Sequence, residues 1–154
     1  MKFRYLLLTF LSVLCACNGT DNENEEEHFQ DTGKGVFILN EGNYNSGNST
    51  LSYYYPGEKR VENGIFLRSN DRKLGDTGQS MTLYSNTLFI AMENSGIVWG
   101  IDAETFRVKG QLTAAQTEHM INPRFVHIVN EGKAYVSDLY SPYITIFNPT
   151  TFQP

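Results

Sequence analysis

Cysteine is nearly missing from this sequence: Cys15 and Cys17 are the only two in 154 residues. Everything after Cys17 therefore lacks a thiol, which excludes a disulfide framework and cysteine nucleophiles from the rest of the chain. Histidine is scarce too. His28, His119 and His127 are the only three, none paired with another ligand at a recognised metal spacing, so no metal site and no cofactor are expected. No apolar run reaches the roughly 20 residues of a membrane-spanning helix. Basic residues are outnumbered, 12 against 17 acidic. Six of those acids lie at or before Asp31, and Lys2, Arg4 and Lys34 precede Gly35, so the remainder carries 12 − 3 = 9 basic and 17 − 6 = 11 acidic residues. A segment so close to neutral lacks the basic footprint of a nucleic-acid binder, and no nucleic-acid partner is expected.

What is present begins with Lys2 and Arg4 ahead of the apolar stretch Tyr5 to Leu14, the charged and hydrophobic regions of a secretory signal. Leu14-Cys15-Ala16-Cys17 resembles the bacterial lipobox. That resemblance implies loss of residues 1–16, lipidation of Cys17 and attachment to a membrane through acyl chains, of which two or more anchor durably. Residues 17–34 are polar and acidic, through Asn18-Gly19-Thr20-Asp21-Asn22-Glu23-Asn24-Glu25-Glu26-Glu27, with almost nothing apolar to bury. They read as a disordered tether. The tether also resembles the acidic signal that directs Bacteroidetes lipoproteins to the outer face of the outer membrane. This implies a lipid-anchored outer-membrane protein at the cell surface, the periplasmic face being the alternative.

From Gly35 the composition shifts to Tyr, Phe, Ile, Val and Thr in short alternating runs broken by Gly, Asn, Asp and Pro, the pattern of many short antiparallel strands. No segment carries a sustained helical stripe, and Thr113 to Met120 is the one plausible helical turn. The reading is all-β. Leu88 to Ala91, Ile97 to Ile101 and Asp102 to Phe106 overlay Ala134 to Ser137, Tyr143 to Phe147 and Asn148 to Phe152 at a constant offset of 46. A degraded copy runs from Val36 to Leu39 and Thr50 to Tyr55, ending in Pro56-Gly57 after a gap five residues longer. A period in the forties with several strands per unit is the signature of β-propeller blades. The expected blade has an inner strand Ser80 to Tyr84, then Thr87 to Met92, Gly96 to Ile101 and an outer strand Phe106 to Leu112. The blade units are 35–77, 78–122 and 123–154. Since propellers need at least about four blades, the chain is expected to be an N-terminal fragment, an incomplete propeller of two and a half to three blades.

Val98 to Phe106 and Ile144 to Phe152, each an apolar strand before a D-x-x-T or N-x-x-T turn, resemble the YVTN (YncE-like) propeller repeat. Phe89-Ile90-Ala91-Met92 and Tyr135-Val136-Ser137-Asp138 fall where that family's second strand belongs. With the lipobox and tether, the whole resembles surface propeller lipoproteins of gut Bacteroidetes. Some of these capture cobalamin and pass it to a TonB-dependent outer-membrane transporter. The resemblance implies a small-molecule ligand of corrinoid type and such a transporter as partners.

In a meander of this kind the second-to-third strand loops and the connections between units share one rim. That rim comprises 40–48, 68–77, 93–95, 113–124 and 138–142. Tyr44 between Asn43 and Asn45, and Tyr140 near Asp138, suit a neutral polar ligand, the ring giving contact area and the amides hydrogen bonds. The same residues also suit turn geometry and coverage of a channel mouth. Asp71-Arg72-Lys73 and Glu93-Asn94 read either as a binding cluster or as a solvated face. Three functions follow: a non-enzymatic capture module, a propeller enzyme of lactonase or quinone-dependent dehydrogenase type, and an interaction scaffold. With no catalytic motif present, capture is the preferred reading. Replacing Cys17 with Ala is expected to abolish incorporation of labelled fatty acid and to move the protein from the membrane fraction to the soluble one. Unchanged labelling would overturn the lipobox reading.

Overall fold

Within each sheet every strand pairs with its sequence neighbour, the turns between them closing antiparallel ladders. The computed structural model describes residues 35–154; the signal, Cys17 and the tether lie outside the described residues. Ten strands form three antiparallel sheets. The first holds β1 (Val36–Asn40), β2 (Thr50–Tyr55) and β3 (Arg60–Glu62). The second holds β4 (Gly78–Tyr84), β5 (Thr87–Met92), β6 (Ile97–Asp102) and β7 (Val108–Thr113). The third holds β8 (Pro123–Asn130), β9 (Lys133–Asp138) and β10 (Thr145–Phe147). The fold is all-β, and the second sheet is the four-stranded meander expected, its strand bounds shifted by at most two residues.

The 46-residue period holds at the level of pairing. Leu88, Phe89 and Ile90 face Ile101, Gly100 and Trp99 across β5–β6. Forty-six residues on, Ala134, Tyr135 and Val136 face Phe147, Ile146 and Thr145 across β9–β10. The first strands of the two sheets, β4 and β8, differ by one residue. Thr82 pairs with Phe89 and His127 with Tyr135, an offset of 45, and the irregularity between Ile128 and Asn130 absorbs the extra residue as a bulge at Val129.

Alternation sends successive side chains to opposite faces of a sheet. In the second sheet both faces are covered, so β5 reads as a continuous apolar run. Leu88, Ile90, Met92, Trp99 and Ile101 pack toward Leu51 and Tyr53 of the first sheet. Phe89, Ala91, Val98 and Leu112 pack toward Val126, Ala134, Val136 and Phe147 of the third. Each large side chain buried this way contributes about 1.5–3 kcal/mol. The hydroxyls of Ser80 and Thr82 donate to the carbonyls of Arg124 and Val126 at 2.5 and 2.7 Å, so β4 and β8 run side by side.

The turns after β6 and β10 share one geometry. Asp102 Oδ1 accepts the backbone N–H of Glu104 and Thr105, as Asn148 Oδ1 accepts those of Thr150 and Thr151. Each turn ends on a phenylalanine in the left-handed region, Phe106 at φ 59° and Phe152 at φ 56°. Lys59, at φ 49°, closes the corresponding turn of the first sheet. Left-handed backbone costs a non-glycine residue roughly 1–2 kcal/mol, and here that strain aims an aromatic ring at the preceding sheet. Phe106 packs on Phe37 and Tyr53. Phe152 enters a slot over Gly100 and Gly110, which pair across β6–β7; a Cβ on either would lie 2.1 or 2.2 Å from its ring.

One helix departs from the sequence reading. α1 (Ile65–Asn70) is too short to display periodicity, and it forms because Ile65 and Phe66 are buried between the first two sheets. Asn70 fixes its end by donating to the Phe66 and Phe106 carbonyls and accepting from Val108 N–H, each at 2.9 Å. The expected helical turn at 113–120 is only a three-residue 3-10 turn, Ala114–Gln116, with a capping box from Thr113.

Gly100→Ala is expected to lower unfolding free energy by about 1–3 kcal/mol through overpacking, measured in urea. In a Phe152→Ala background most of that cost should vanish. An unchanged cost there would show that the slot does not exist to receive the ring.

Candidate functional site

The loops at one end of the sheets are long, polar and tied to each other, and they include most of the residues singled out from sequence. The β1–β2 loop (41–49) turns back on itself: Gly42 is at φ 80°, Asn43 N–H donates to Asn48 Oδ1 at 2.8 Å, and Ser46 N–H to the Asn43 carbonyl at 3.0 Å. Ser49 hydroxyl caps the loop on the Glu41 carbonyl. Asn43 is thus a turn residue, while Tyr44 stands at the tip, 66% exposed.

Asn45 and Asn94, from two of the loops assigned to the rim, are in contact. Asn94 Nδ2 donates to Asn45 Oδ1 at 2.8 Å and to Asp76 Oδ2 at 3.2 Å. Asp76 is the hub of this cluster. Its Oδ2 also accepts Gly47 N–H, its Oδ1 accepts the Thr77 hydroxyl, and its own N–H donates to Ser95 Oγ. Burial pushes the Asp76 carboxyl up, but the hydrogen bonds from Thr77, Asn94 and the Gly47 and Asn45 N–H groups outweigh it and hold the group below the ordinary aspartate range.

Glu93 is almost fully buried and ion-paired to Arg124 of β8 at 2.5 Å, so it bridges the second and third sheets. Asp138 is likewise occupied. Its Oδ2 accepts Ile121 and Asn122 N–H at 2.7 Å, and its Oδ1 accepts Tyr140 and Ser141 N–H at 2.9 Å. Four backbone donors fill a carboxylate's acceptor capacity. This carboxylate shapes the loop that presents Tyr140, which is 70% exposed. Tyr143, on the same loop, stacks on His119 with ring centroids 4.1 Å apart.

Arg72 is placed elsewhere. Its guanidinium lies over the Trp99 ring at 4.5 Å, and Trp99 Nε1 donates to the Leu74 carbonyl at 2.8 Å. The rim therefore brings together Asn43, Tyr44, Asn45, Glu93 and Asn94, presents Tyr140 above Asp138, and leaves Arg72 on the flank. Cys17 lies outside the described residues.

A family model described as a domain of unknown function (DUF5074) matches residues 34–154. The chain belongs to this family. No curated protein matches it. The match spans all three sheets, so the DUF5074 domain includes both the repeated units and the loops that depart from the repeat.

Sequence reasoning included Asp76 and Arg124 in the rim stretches 68–77 and 113–124 without singling either out. The run Gly75-Asp76-Thr77-Gly78 carried a usable signal, a carboxylate and hydroxyl between two glycines, where a loop folds back on itself. Nothing local marks Arg124, whose partner lies 31 positions away.

Because Asp76 titrates low in the folded chain and near 3.9 when unfolded, its contribution is complete above that value and is lost as pH falls through the lowered folded-state value. Asp76→Asn is expected to remove this part of the acid dependence and lower the thermal midpoint at neutral pH. Thermal melts from pH 7 to 2 that superimpose for the two proteins would overturn the hub role.

Proposed function

We propose that this DUF5074 domain is part of a YncE-like β-propeller whose loop rim captures a small polar nutrient at the outer surface of the cell envelope. The observation that carries the architectural half is the mismatch in burial between equivalent positions. Val98 is 0% exposed beneath the third sheet, whereas Ile144, its equivalent 46 residues on, is 57% exposed. Ile146 and Phe125 are open on that same face of the third sheet. A face whose counterpart is dry one unit earlier is built to be covered by a further sheet, and repeated sheets stacked this way go on until a ring closes. Val36 and Ile38 are exposed on the first sheet's outward face, which supplies the complementary end.

The functional half rests on what the rim displays and what it withholds. Asp76, Glu93 and Asp138 are all consumed by internal partners, while Tyr44 and Tyr140 stand open beside the amides of Asn43 and Asn45. Such a surface suits a bulky, neutral, hydrogen-bonding ligand better than an ion. A corrinoid fits that chemistry and the family resemblance, with handover to a TonB-dependent transporter as the corresponding role. The lipid anchor at Cys17 would hold the domain at the membrane where that transporter sits.

Calorimetry on the intact protein with cobalamin, other corrinoids and neutral glycans tests the reading. Saturable heat with a corrinoid, weakened at least about tenfold by Tyr44→Ala or Tyr140→Ala (about 1.4 kcal/mol), is the expected result. Heat with none of these ligands would remove the capture reading, and turnover of any of them would favour an enzyme.

A further inference from the structure

The first sheet carries two segments with no counterpart in the other two: the loop 41–49, five residues longer than the 93–96 connection, and the excursion through α1 to Leu74. They converge on a cavity of about 220 Å³, which the exposed tyrosines of the rim do not line. Leu51, Phe66 and Leu74, all at or below 2% exposure, form its apolar wall. Leu67, 52% exposed, forms the lip, and Gly64 adds no side chain, a Cβ there meeting nothing within 4 Å. At the mouth stands Lys73, which has no ion-pair partner among the described residues. An apolar cavity of roughly 150 Å³ is enough to hold benzene, so this one accepts a substituted ring or a short acyl chain.

We propose that this cavity is a second binding site, taking a small carboxylate with an aromatic or short aliphatic body. The body fills the apolar wall and the carboxylate meets the Lys73 ammonium, a partly exposed pairing that adds direction more than strength. The alternatives fit less well: a cation would face Lys73, and a sugar would leave its hydroxyls unpaired against Leu51, Phe66 and Leu74. The repeat does not require the cavity, since the third sheet packs on the second without one built from inserted segments. The proposal stands apart from the capture reading in the groups it uses, because none of Tyr44, Tyr140 and Tyr143 lines the cavity, and it holds whether or not further sheets follow.

Ligand-observed NMR on the full chain, with phenylacetate and hexanoate as probes and 2-phenylethanol as the neutral comparison, tests this. Dissociation constants between roughly 10 μM and 1 mM are expected for the acids. Lys73→Gln, on an exposed side chain, should weaken the acids at least about threefold and leave 2-phenylethanol unchanged. Leu67→Trp, which folds a larger ring over the mouth, should abolish all three. Should that variant unfold, Lys73→Gln and competition between the two acids still decide the matter. No saturable binding of either acid, or binding that Lys73→Gln leaves intact, overturns the proposal.

Discussion

The insertion of a phenylalanine from one unit into the sheet before it is the contact on which the architecture turns. A single twisted sheet of three or four strands buries one face at most, and here the second sheet buries two. What sets the spacing is the ring of Phe152 against Gly100 and Gly110, and the ring of Phe106 against Phe37 and Tyr53. Both phenylalanines hold left-handed backbone, a strain of roughly 1–2 kcal/mol. Burying a ring of that size contributes about 1.5–3 kcal/mol, so the strained turn is sustained by the neighbouring sheet that it fills. The turn carboxylate or amide, Asp102 or Asn148, fixes the approach by taking up the N–H groups the tight turn would otherwise leave without partners.

Where the chain departs from its repeat, polar side chains replace strand pairing as the organising force. The long 41–49 loop is held by backbone bonds to Gly75 and Gly78 and by side chains, Asp76 reaching Gly47 and Asn94 reaching Asn45. Glu93 and Arg124 do the same between the second and third sheets. Removing one partner of such a pair leaves a charge without compensation, which costs more than the pair contributes. These groups therefore rigidify the loops and leave the exposed aromatic rings as the surface presented to solvent.

The legible part of the site was the loop map. Periodicity and turn residues assigned 40–48, 68–77, 93–95, 113–124 and 138–142 to one rim, and Asn45 and Asn94 from two of these stretches touch. The part that was not legible is which polar groups are spent. Asp138 and Tyr140 look alike as rim residues in sequence, yet one accepts four backbone N–H groups and the other is open. Arg72 sits in a charged triplet that reads as rim, but the indole of Trp99, 27 positions later, draws it to the flank. The helix Ile65–Asn70 escaped notice for a related reason: six residues cannot show a 3.6-residue period, and burial of Ile65 and Phe66 forms it.

The sequence by itself determined most of the strands, the four-stranded meander of the second sheet and the 46-residue recurrence, though not the short β3, since alternation and turn chemistry act between residues close along the chain. Tertiary structure alone decided which side chains are free and where a cavity opens. Those outcomes depend on contacts between segments 20 to 50 residues apart, such as Asn45 with Asn94 and Leu51 with Leu74, whose meeting no local pattern encodes.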